Sequence, residues 1–145
     1  MAVAVRDGNF SDPTLWDTSA VPGVGEDAWA NGFLVEINLD IEVATLRTDN
    51  SPAGNSGGRF NCTGRQVTAE CRAGTSTCLS LFEGVLIGDT YGGTTSNARG
   101  AEIQNGSTQH GNSFGGSGSG ADGSLVNTSS HQIGCLLYTS PSPRD

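Results

Sequence analysis

The acidic side chains of the chain are its first candidates for chemistry. Hydrolysis of a glycosidic bond needs two carboxyl groups that face one groove. Glu26 and Asp27 lie in a turn-like stretch, whereas Glu36, Asp40 and Glu42 flank short apolar segments. The alternation around Glu36 and Glu42 places both on the solvated side of strands. The pattern therefore predicts no catalytic carboxylate pair.

The two histidines could serve as general bases if a nucleophile lay close to them. His110 and His131 have Ser, Thr and Asn neighbours but no motif that surrounds a catalytic Ser or Cys. Solvated histidines in surface coils explain this pattern more simply. We therefore predict no catalytic residues, and we expect that the chain is not an enzyme.

Apart from Cys135 in the final segment, which we set aside below as non-native, the chain has three cysteines, Cys62, Cys71 and Cys78, that are candidates for metal binding or for a disulfide framework. No two of them form a Cys-x-x-Cys pair, and no His stands at a zinc-ligand spacing, so a structural zinc site is not expected. Their odd number and the lack of an export signal argue against a disulfide framework. The remaining interpretation is that they are small buried side chains in the core.

The segment from Gly115 to Asp122 resembles the Gly-Gly-x-Gly-x-Asp repeat of calcium-binding β-rolls. Gly120, however, stands where the repeat needs a carboxylate, and calcium requires several oxygen ligands. The preceding copy of the segment has Asn97 and Arg99 at the corresponding positions. We therefore predict a plain glycine turn here, and we expect no metal and no cofactor.

Composition restricts the fold and the partners. The 145 residues are only 34% hydrophobic and include 22 glycines, which favours a thin β structure with many turns over a large core. The net charge is −8 and every basic residue is Arg, so binding to nucleic acid or to an anionic membrane is not expected. Arg6 and Asp7 come too early to leave room for a signal-peptide apolar region.

Short strands separated by turns are expected to position all of these side chains. Phe33, Val35 and Ile37 alternate with Leu34 and Glu36, which is typical of a half-buried strand, and the preceding Asn31-Gly32 pair indicates a tight turn. Ile41–Leu46 indicates a second short strand. After a polar loop over residues 50–58 come three further short apolar segments, Gln66–Ala69, Cys78–Phe82 and Gly84–Gly88.

An internal repeat supports this interpretation. Residues 88–111 align with residues 111–134 at an offset of 23, within the range of repeat proteins. The alignment pairs Gly92-Gly93 with Gly115-Gly116, Gly100 with Gly123, Gln109 with Gln132, Tyr91 with Phe114 and Ile103 with Val126. We expect Ile103 and Val126 to point inward from neighbouring parallel strands and the two aromatic rings to stack. The paired Gly-Gly turns are expected to use positive φ.

These observations predict an all-β fold, a parallel β-solenoid whose coils stack to share one core. Residues 1–48 are expected to form an N-terminal cap and the first strands, because both Trp residues and two of the five Phe residues lie there. Residues 49–134 are expected to form the Gly-, Ser-, Thr- and Asn-rich coils, with the 23-residue repeat at 88–134. The cap would cover the open end of the core with Phe10, Trp16, Trp29 and Phe33.

The opening of the chain resembles that of G8-like β-helix proteins and of phage tail-fibre and virion-surface proteins. The resemblance rests on Gly8–Pro13 followed by Trp16, on Val21-Pro22-Gly23 with Gly25-Glu26-Asp27, and on Asn31–Ile37 with Asp40. It implies a right-handed parallel β-solenoid, the hand also expected for parallel crossovers. It further implies a structural or adhesive role on a virion or outside the cell, without a signal peptide of its own.

Two other functions are open at this point. The chain could be the N-terminal cap of a carbohydrate-active β-helix enzyme whose catalytic groove lies in later coils, or part of a bacterial surface adhesin. The partners expected from the resemblance are a second copy of the chain, other tail or virion proteins, and a cell-surface glycan contacted by a later part of the protein.

The final segment, residues 135–145, differs from everything before it. It resembles, residue for residue, the one-frame translation of a DNA adapter used in sequencing libraries. We therefore interpret it as a non-native tail on a truncated sequence whose natural part stops at Gly134. Such a tail is expected to lack the phase of the repeat and to have no evolved packing partners.

Overall fold

The computed structural model of the chain describes residues 1–126, 130–134 and 136–138, the last three as backbone only. The chain forms a parallel β-solenoid of about 6 turns, as the sequence predicted. Successive coils pair in parallel through backbone hydrogen bonds, because each coil returns the chain to the same side of the stack. The helical content of the described residues is one short 3₁₀ turn, Pro13–Leu15.

One side of the solenoid is a six-stranded sheet with one strand from each coil. From the first coil to the last, its strands are β2 (Gly8–Asn9), β4 (Leu34–Ile37), β6 (Arg59–Thr63), β8 (Leu79–Phe82), β11 (Ala101–Gln104) and β14 (Ser124–Val126). The predicted alternation holds in β4, where Val35 and Ile37 are buried while Leu34 and Glu36 are exposed.

A ten-stranded sheet in the described residues forms the rest of the wall. Its strands are β1 (Ala2–Val3), β3 (Asp27–Trp29), β5 (Ile41–Arg47), β7 (Gln66–Arg72), β9 (Val85–Ile87), β10 (Thr90–Tyr91), β12 (Thr108–His110), β13 (Ser113–Gly115), β15 (His131–Ile133) and β16 (Leu136–Tyr138). The long strand β7 pairs with β9 through its first half and with β10 through its second half. At this position the earlier coils therefore have one long strand, and the later coils have two short strands.

Stacked glycines make the bend between those two strands. A Cβ added to Gly88 would lie 1.8 Å from the carbonyl oxygen of Ala69, and one added to Gly111 would lie 2.1 Å from that of Gly88. Gly134 repeats the contact, since its Cβ would lie 2.0 Å from the carbonyl oxygen of Gly111. Neighbouring coils approach so closely at this corner that no other residue fits.

The interior changes from apolar to polar along the stack. One inward position is Leu86 in β9 and becomes Gln109 and then Gln132 in the next two coils. A second inward position is Cys71 in β7 and becomes Thr90 and then Ser113. The first coils are therefore held by aliphatic and aromatic packing, and the later coils by buried hydrogen bonds.

The 23-residue repeat has the predicted register. Ile103 pairs with Val126 in neighbouring parallel strands, with Ile103 fully buried and Val126 half-buried against the core. Gly100 and Gly123 stand immediately before these strands, as expected.

The Gly-Gly turns are equivalent, but the predicted reason for them is wrong. Gly93 donates to the carbonyl of Ala98, and Gly116 donates to that of Ala121, both at 2.7 Å. None of the four turn glycines, Gly92, Gly93, Gly115 and Gly116, has a positive φ. Glycine is required instead because a Cβ on Gly116 would lie 2.2 Å from the carbonyl oxygen of Gly93 in the coil before it.

The aromatic residues of the first 48 residues divide between two roles. Phe10 and Trp16 are buried and meet edge to face at 5.1 Å, and the indole Nε1 of Trp16 donates to the carbonyl of Phe10 at 3.0 Å. Trp29 is also only 7% exposed, but it lies outside the core cluster, on the outer face of the ten-stranded sheet, where it contacts Arg47 and Asp49. The strands of this part of the chain belong to the same two sheets as the later coils.

Part of the final segment continues the solenoid. The backbone of β16 pairs in parallel with β13, with Leu136 opposite Ser113. The expectation that the segment lacks the phase of the repeat is wrong for these three residues, because an open sheet edge accepts any β-compatible backbone. Cys135 and residues 139–145 lie outside the described residues.

Candidate functional site

Five large side chains form a line along the outside of the ten-stranded sheet, which we call the outer ladder. Each occupies the same register position as its neighbour in the next coil. They are Trp29, Arg47, Arg72, Tyr91 and Phe114. Since neighbouring strands are about 4.8 Å apart, the ladder follows the long axis of the solenoid with one group per coil.

Rings and guanidinium groups contact one another along the outer ladder. The guanidinium carbon of Arg47 lies 5.2 Å from the centre of the Trp29 ring, and that of Arg72 lies 4.1 Å from the centre of the Tyr91 ring. The rings of Tyr91 and Phe114 stack at 4.7 Å with an interplanar angle of 8°. The predicted aromatic stack is confirmed. It lies on the outer surface, where the rings are half-buried.

Two carboxylates hold the arginines of the outer ladder in place. Asp49 accepts from Arg47 Nε at 2.9 Å and from the indole Nε1 of Trp29 at 3.1 Å. Glu70 accepts from Arg72 at 3.0 Å. The hydrogen bond to Asp49 raises the pKa of Arg47 above its usual value, and desolvation raises the pKa of Tyr91. The guanidinium groups of Arg47 and Arg72 are therefore fixed in position, and these planar groups stack on rings as well as carry charge.

A groove of about 330 Å³ lies at the end of the strands that carry the outer ladder, and we call it the loop groove. It is formed where the chain leaves three of those strands, β5, β7 and β10. Its lining residues are Asp49, Asn50, Ser56, Ala73, Gly74, Thr75 and Thr94. Along the chain, each turn that lines the loop groove therefore follows a residue of the outer ladder.

Hydrogen bonds between coils fix the walls of the loop groove. The hydroxyl of Thr94 donates to the carbonyl of Gly74 at 3.2 Å, and the hydroxyls of Ser56 and Thr75 are 3.2 Å apart. The polar loop at residues 50–58 is anchored by Ser51, which donates to the side-chain oxygen of Asn31 at 2.6 Å. The groove is therefore formed before any ligand binds.

The chemistry of the loop groove is that of hydrogen bonding to polar, uncharged groups. Its hydroxyls donate and accept, and the carboxamide of the exposed Asn50 does both. Asp49 brings a carboxylate whose charge is offset by Arg47. Along the outer ladder, the half-buried rings of Tyr91 and Phe114 add apolar ring edges to these polar groups.

The carboxylates considered for hydrolysis have structural partners. Glu26 accepts from the backbone nitrogen of Gly23 at 2.8 Å, which lowers the pKa of that carboxyl. Asp27 accepts from the hydroxyl of Thr45, and Asp40 accepts from the backbone nitrogen of Gln66. Glu36 is exposed on its strand, as predicted. The Asp27 and Asp40 bonds join neighbouring coils, and the Glu26 bond fixes its own turn.

The other candidates are similarly separate from the groove. His110 and His131 are exposed on β12 and β15, two residues out of register with each other. Within the described residues, no three His, Cys, Asp or Glu side chains come together in a way that could hold a metal ion. Gly120 has a φ of +68°, and a Cβ there would lie 2.4 Å from the Asn97 side chain. The positive φ and the lack of space for a Cβ explain why residue 120 is a glycine, and no calcium site is needed to explain it.

The three cysteines are buried, as the sequence predicted. Burial raises the pKa of the Cys62 thiol to about 11. Burial also raises the pKa of the Cys78 thiol, and a hydrogen bond with Cys71 adds to this effect.

Sequence reasoning missed the outer ladder as a unit. It identified Tyr91 with Phe114 from the repeat, but it did not join them to Arg72, Arg47 and Trp29, because the spacing between these residues varies from coil to coil. A detectable signal was present. Each ladder residue stands at the end of its strand, or one residue before it, and is followed by small or polar residues.

Comparison with family models, with curated proteins and with solved structures finds no match for this chain. The described residues contain no helix of the length and hydrophobicity needed to span a membrane.

Proposed function

We propose that this chain is a structural or adhesive β-solenoid module that binds polyhydroxylated ligands such as cell-surface glycans. The observation that supports the proposal most directly is the outer ladder, which runs along the solenoid axis beside the loop groove. The stacked rings present their outward edges to a sugar, and the groove offers hydroxyl, amide and carboxylate partners. The resemblance of residues 8–40 to tail-fibre and virion-surface proteins extends the proposal to a module of such an assembly.

The rigidity of the surface also supports adhesion. Each ladder side chain is held by the sheet beneath it and by a contact with its neighbour, so little conformational entropy is lost when a ligand binds. The repeat of one group per coil suits an elongated ligand that makes one contact per sugar residue. Many weak contacts in register give useful total affinity.

Binding to immobilised glycans tests the proposal, with Tyr91→Ala as the main variant. We expect the unsubstituted chain to be retained by at least one class of neutral glycan and Tyr91→Ala to lose about tenfold in affinity, since one stacked ring contributes about 1 kcal/mol or slightly more. Phe82→Ala is the matched control, because Phe82 is 36% exposed on the six-stranded sheet, away from the outer ladder. Retention of no glycan, or equal losses in both variants, would contradict the proposal.

A further inference from the structure

Two of the buried cysteines stand on either side of the turn that lines the loop groove. Cys71 is the second-to-last residue of β7, and Cys78 directly precedes β8. Between them lie Ala73, Gly74 and Thr75 of the groove wall. Both side chains are completely buried, and both thiols are free.

The register of the coils brings the two thiols near each other. Cys78 Sγ lies 3.1 Å from the carbonyl oxygen of Leu46, and Leu46 is the register partner of Cys71 in the preceding coil. Both cysteines therefore lie beside the same backbone position of that coil, and the nearby Cys71 thiol contributes to the raised pKa of Cys78.

Cys62 is placed differently. It lies in β6 of the six-stranded sheet, where it pairs with Ile37 and Leu81, and its sulfur lies 3.8 Å from the carbonyl oxygen of Arg65. Cys71 comes at the far end of β7 from that turn. The fold therefore separates Cys62 from the other two thiols while it brings Cys71 and Cys78 together.

We propose that Cys71 and Cys78 form a disulfide when the protein meets a small-molecule disulfide, and that this bond staples the turn at the loop groove. One protein thiolate attacks a sulfur of the small disulfide, which gives a mixed disulfide and releases one small thiol. The second protein thiolate then attacks the protein sulfur of the mixed disulfide and expels the other small thiol. Two protein thiols are oxidised, one small disulfide is reduced, and the two protons pass to the released thiolates.

The surrounding backbone suits this bond. The amide of Cys71 donates to the carbonyl of Asp89, and that of Cys78 donates to the carbonyl of Arg99, both at 2.9 Å. The next coil therefore holds both ends of the turn in place before oxidation. Because the thiols are buried and the thiolate is the attacking form, the reaction requires brief opening of the turn and accelerates as the pH rises.

Peptide mapping reads the linkage directly in the unsubstituted chain. The positions of arginine place each cysteine in its own tryptic peptide: 60–65, 66–72, 73–99 and 100–144. The folded protein is incubated with oxidised glutathione, the remaining thiols are blocked, and the digest is analysed by mass spectrometry. We expect 66–72 joined to 73–99, with the loss of two hydrogen atoms, in at least tenfold excess over 60–65 joined to 66–72.

The same reaction in urea is the control for chance pairing. In the unfolded chain, Cys71 should pair with Cys62 and with Cys78 in comparable amounts, because loop-closure entropy changes little between such short loops. No linked 66–72/73–99 peptide from the folded protein, or the urea distribution in the folded protein, would overturn the proposal. Cys62→Ala should leave the linkage unchanged, and a melting temperature lowered by several degrees on oxidation would also overturn the proposed staple.

Discussion

Ser124 donates its hydroxyl hydrogen to the side-chain oxygen of Gln109 inside the last coils, at a depth where Gln109 is completely buried. The amide nitrogen of Gln109 donates in turn to Thr90 Oγ1 at 3.3 Å and to the carbonyl of Gly88 at 3.2 Å. One glutamine therefore joins three segments of two coils. A buried polar group is stabilising only when its partners are present, so this network fixes the register of the coils that lack large apolar side chains.

Truncation of this glutamine should therefore be costly. We expect Gln109→Ala to lower the free energy of unfolding by about 2–4 kcal/mol, because it leaves a cavity and removes one hydrogen-bond partner from each of Ser124 and Thr90, which remain bonded to each other. Urea denaturation measures the change. Gln104→Ala is the matched control, since Gln104 is half-buried and its side chain donates to Glu102 outside the core, and it should change stability by less than about 0.5 kcal/mol. Equal effects would show that the buried network is not stabilising.

The glycine corner provides a second prediction. Gly111→Ala should destabilise the protein by about 3 kcal/mol, because the new Cβ would lie 2.1 Å from the carbonyl oxygen of Gly88 and the coils would have to separate. Gly106→Ala separates the conformational cost from the steric one. Gly106 has a φ of +84° and nothing within 4 Å of the added Cβ, so it should cost only about 1–2 kcal/mol. Thermal unfolding followed by circular dichroism measures both variants, and a Gly106→Ala cost as large as that of Gly111→Ala would contradict the steric argument.

The aromatic stack of the outer ladder can be measured by a double-mutant cycle. Tyr91→Ala and Phe114→Ala should show a coupling of about 0.5–1.5 kcal/mol in the free energy of unfolding, since their rings are nearly parallel at 4.7 Å. The cycle between Tyr91 and Phe82, which lies on the other sheet, should give less than about 0.5 kcal/mol. A coupling near zero for the first pair would mean that the rings do not stabilise each other.

Asp12 should titrate unusually low. A hydrogen bond from Arg6, together with the hydroxyl and amide of Thr14, lowers the pKa of its carboxyl to about 2. Because the folded-state pKa lies below the unfolded value of 3.8, the stabilisation is present above pH 3.8 and is lost as the pH falls through about 2. Carbon-detected NMR titration of the carboxyl group measures this directly.

Removing the arginine should reverse that shift. In Arg6→Gln the pKa of Asp12 should move back toward 3.8, because the largest cause of the shift is lost. An unchanged pKa in this variant would mean that Thr14 alone holds the carboxylate.

The solenoid could be predicted from the sequence because two of its coils have the same length. Register partners are 23 residues apart in the repeat at 88–134, as for Ile103 and Val126. Elsewhere the separation changes, and between β6 and β8 it is 19, as for Phe60 and Leu79. Coils of unequal length stack equally well, because backbone pairing needs only that each strand returns to its neighbour, and the loops absorb the difference.

The loop groove and the outer ladder could not be predicted for the same reason. Arg47 and Arg72 become neighbours of Tyr91 only when coils of different length are placed in register. The polar interior could not be predicted either. Gln109 lies in an alternating segment, and the sequence alone does not show which of the alternating side chains point into the core. Residue identity indicated which side chains could bind, and coil register determined which of them meet.

The parallel stacking of coils also determines how the molecule carries mechanical load. Hydrogen bonds between successive coils point along the stacking axis. A force that pulls the two ends of the solenoid apart therefore breaks these bonds in sequence, one strand pair after another. A pull across the axis must instead shear a whole row of bonds at once. A module anchored at one end and loaded at the other therefore yields coil by coil and extends gradually, with the polar-cored coils and the apolar-cored coils opening at different forces.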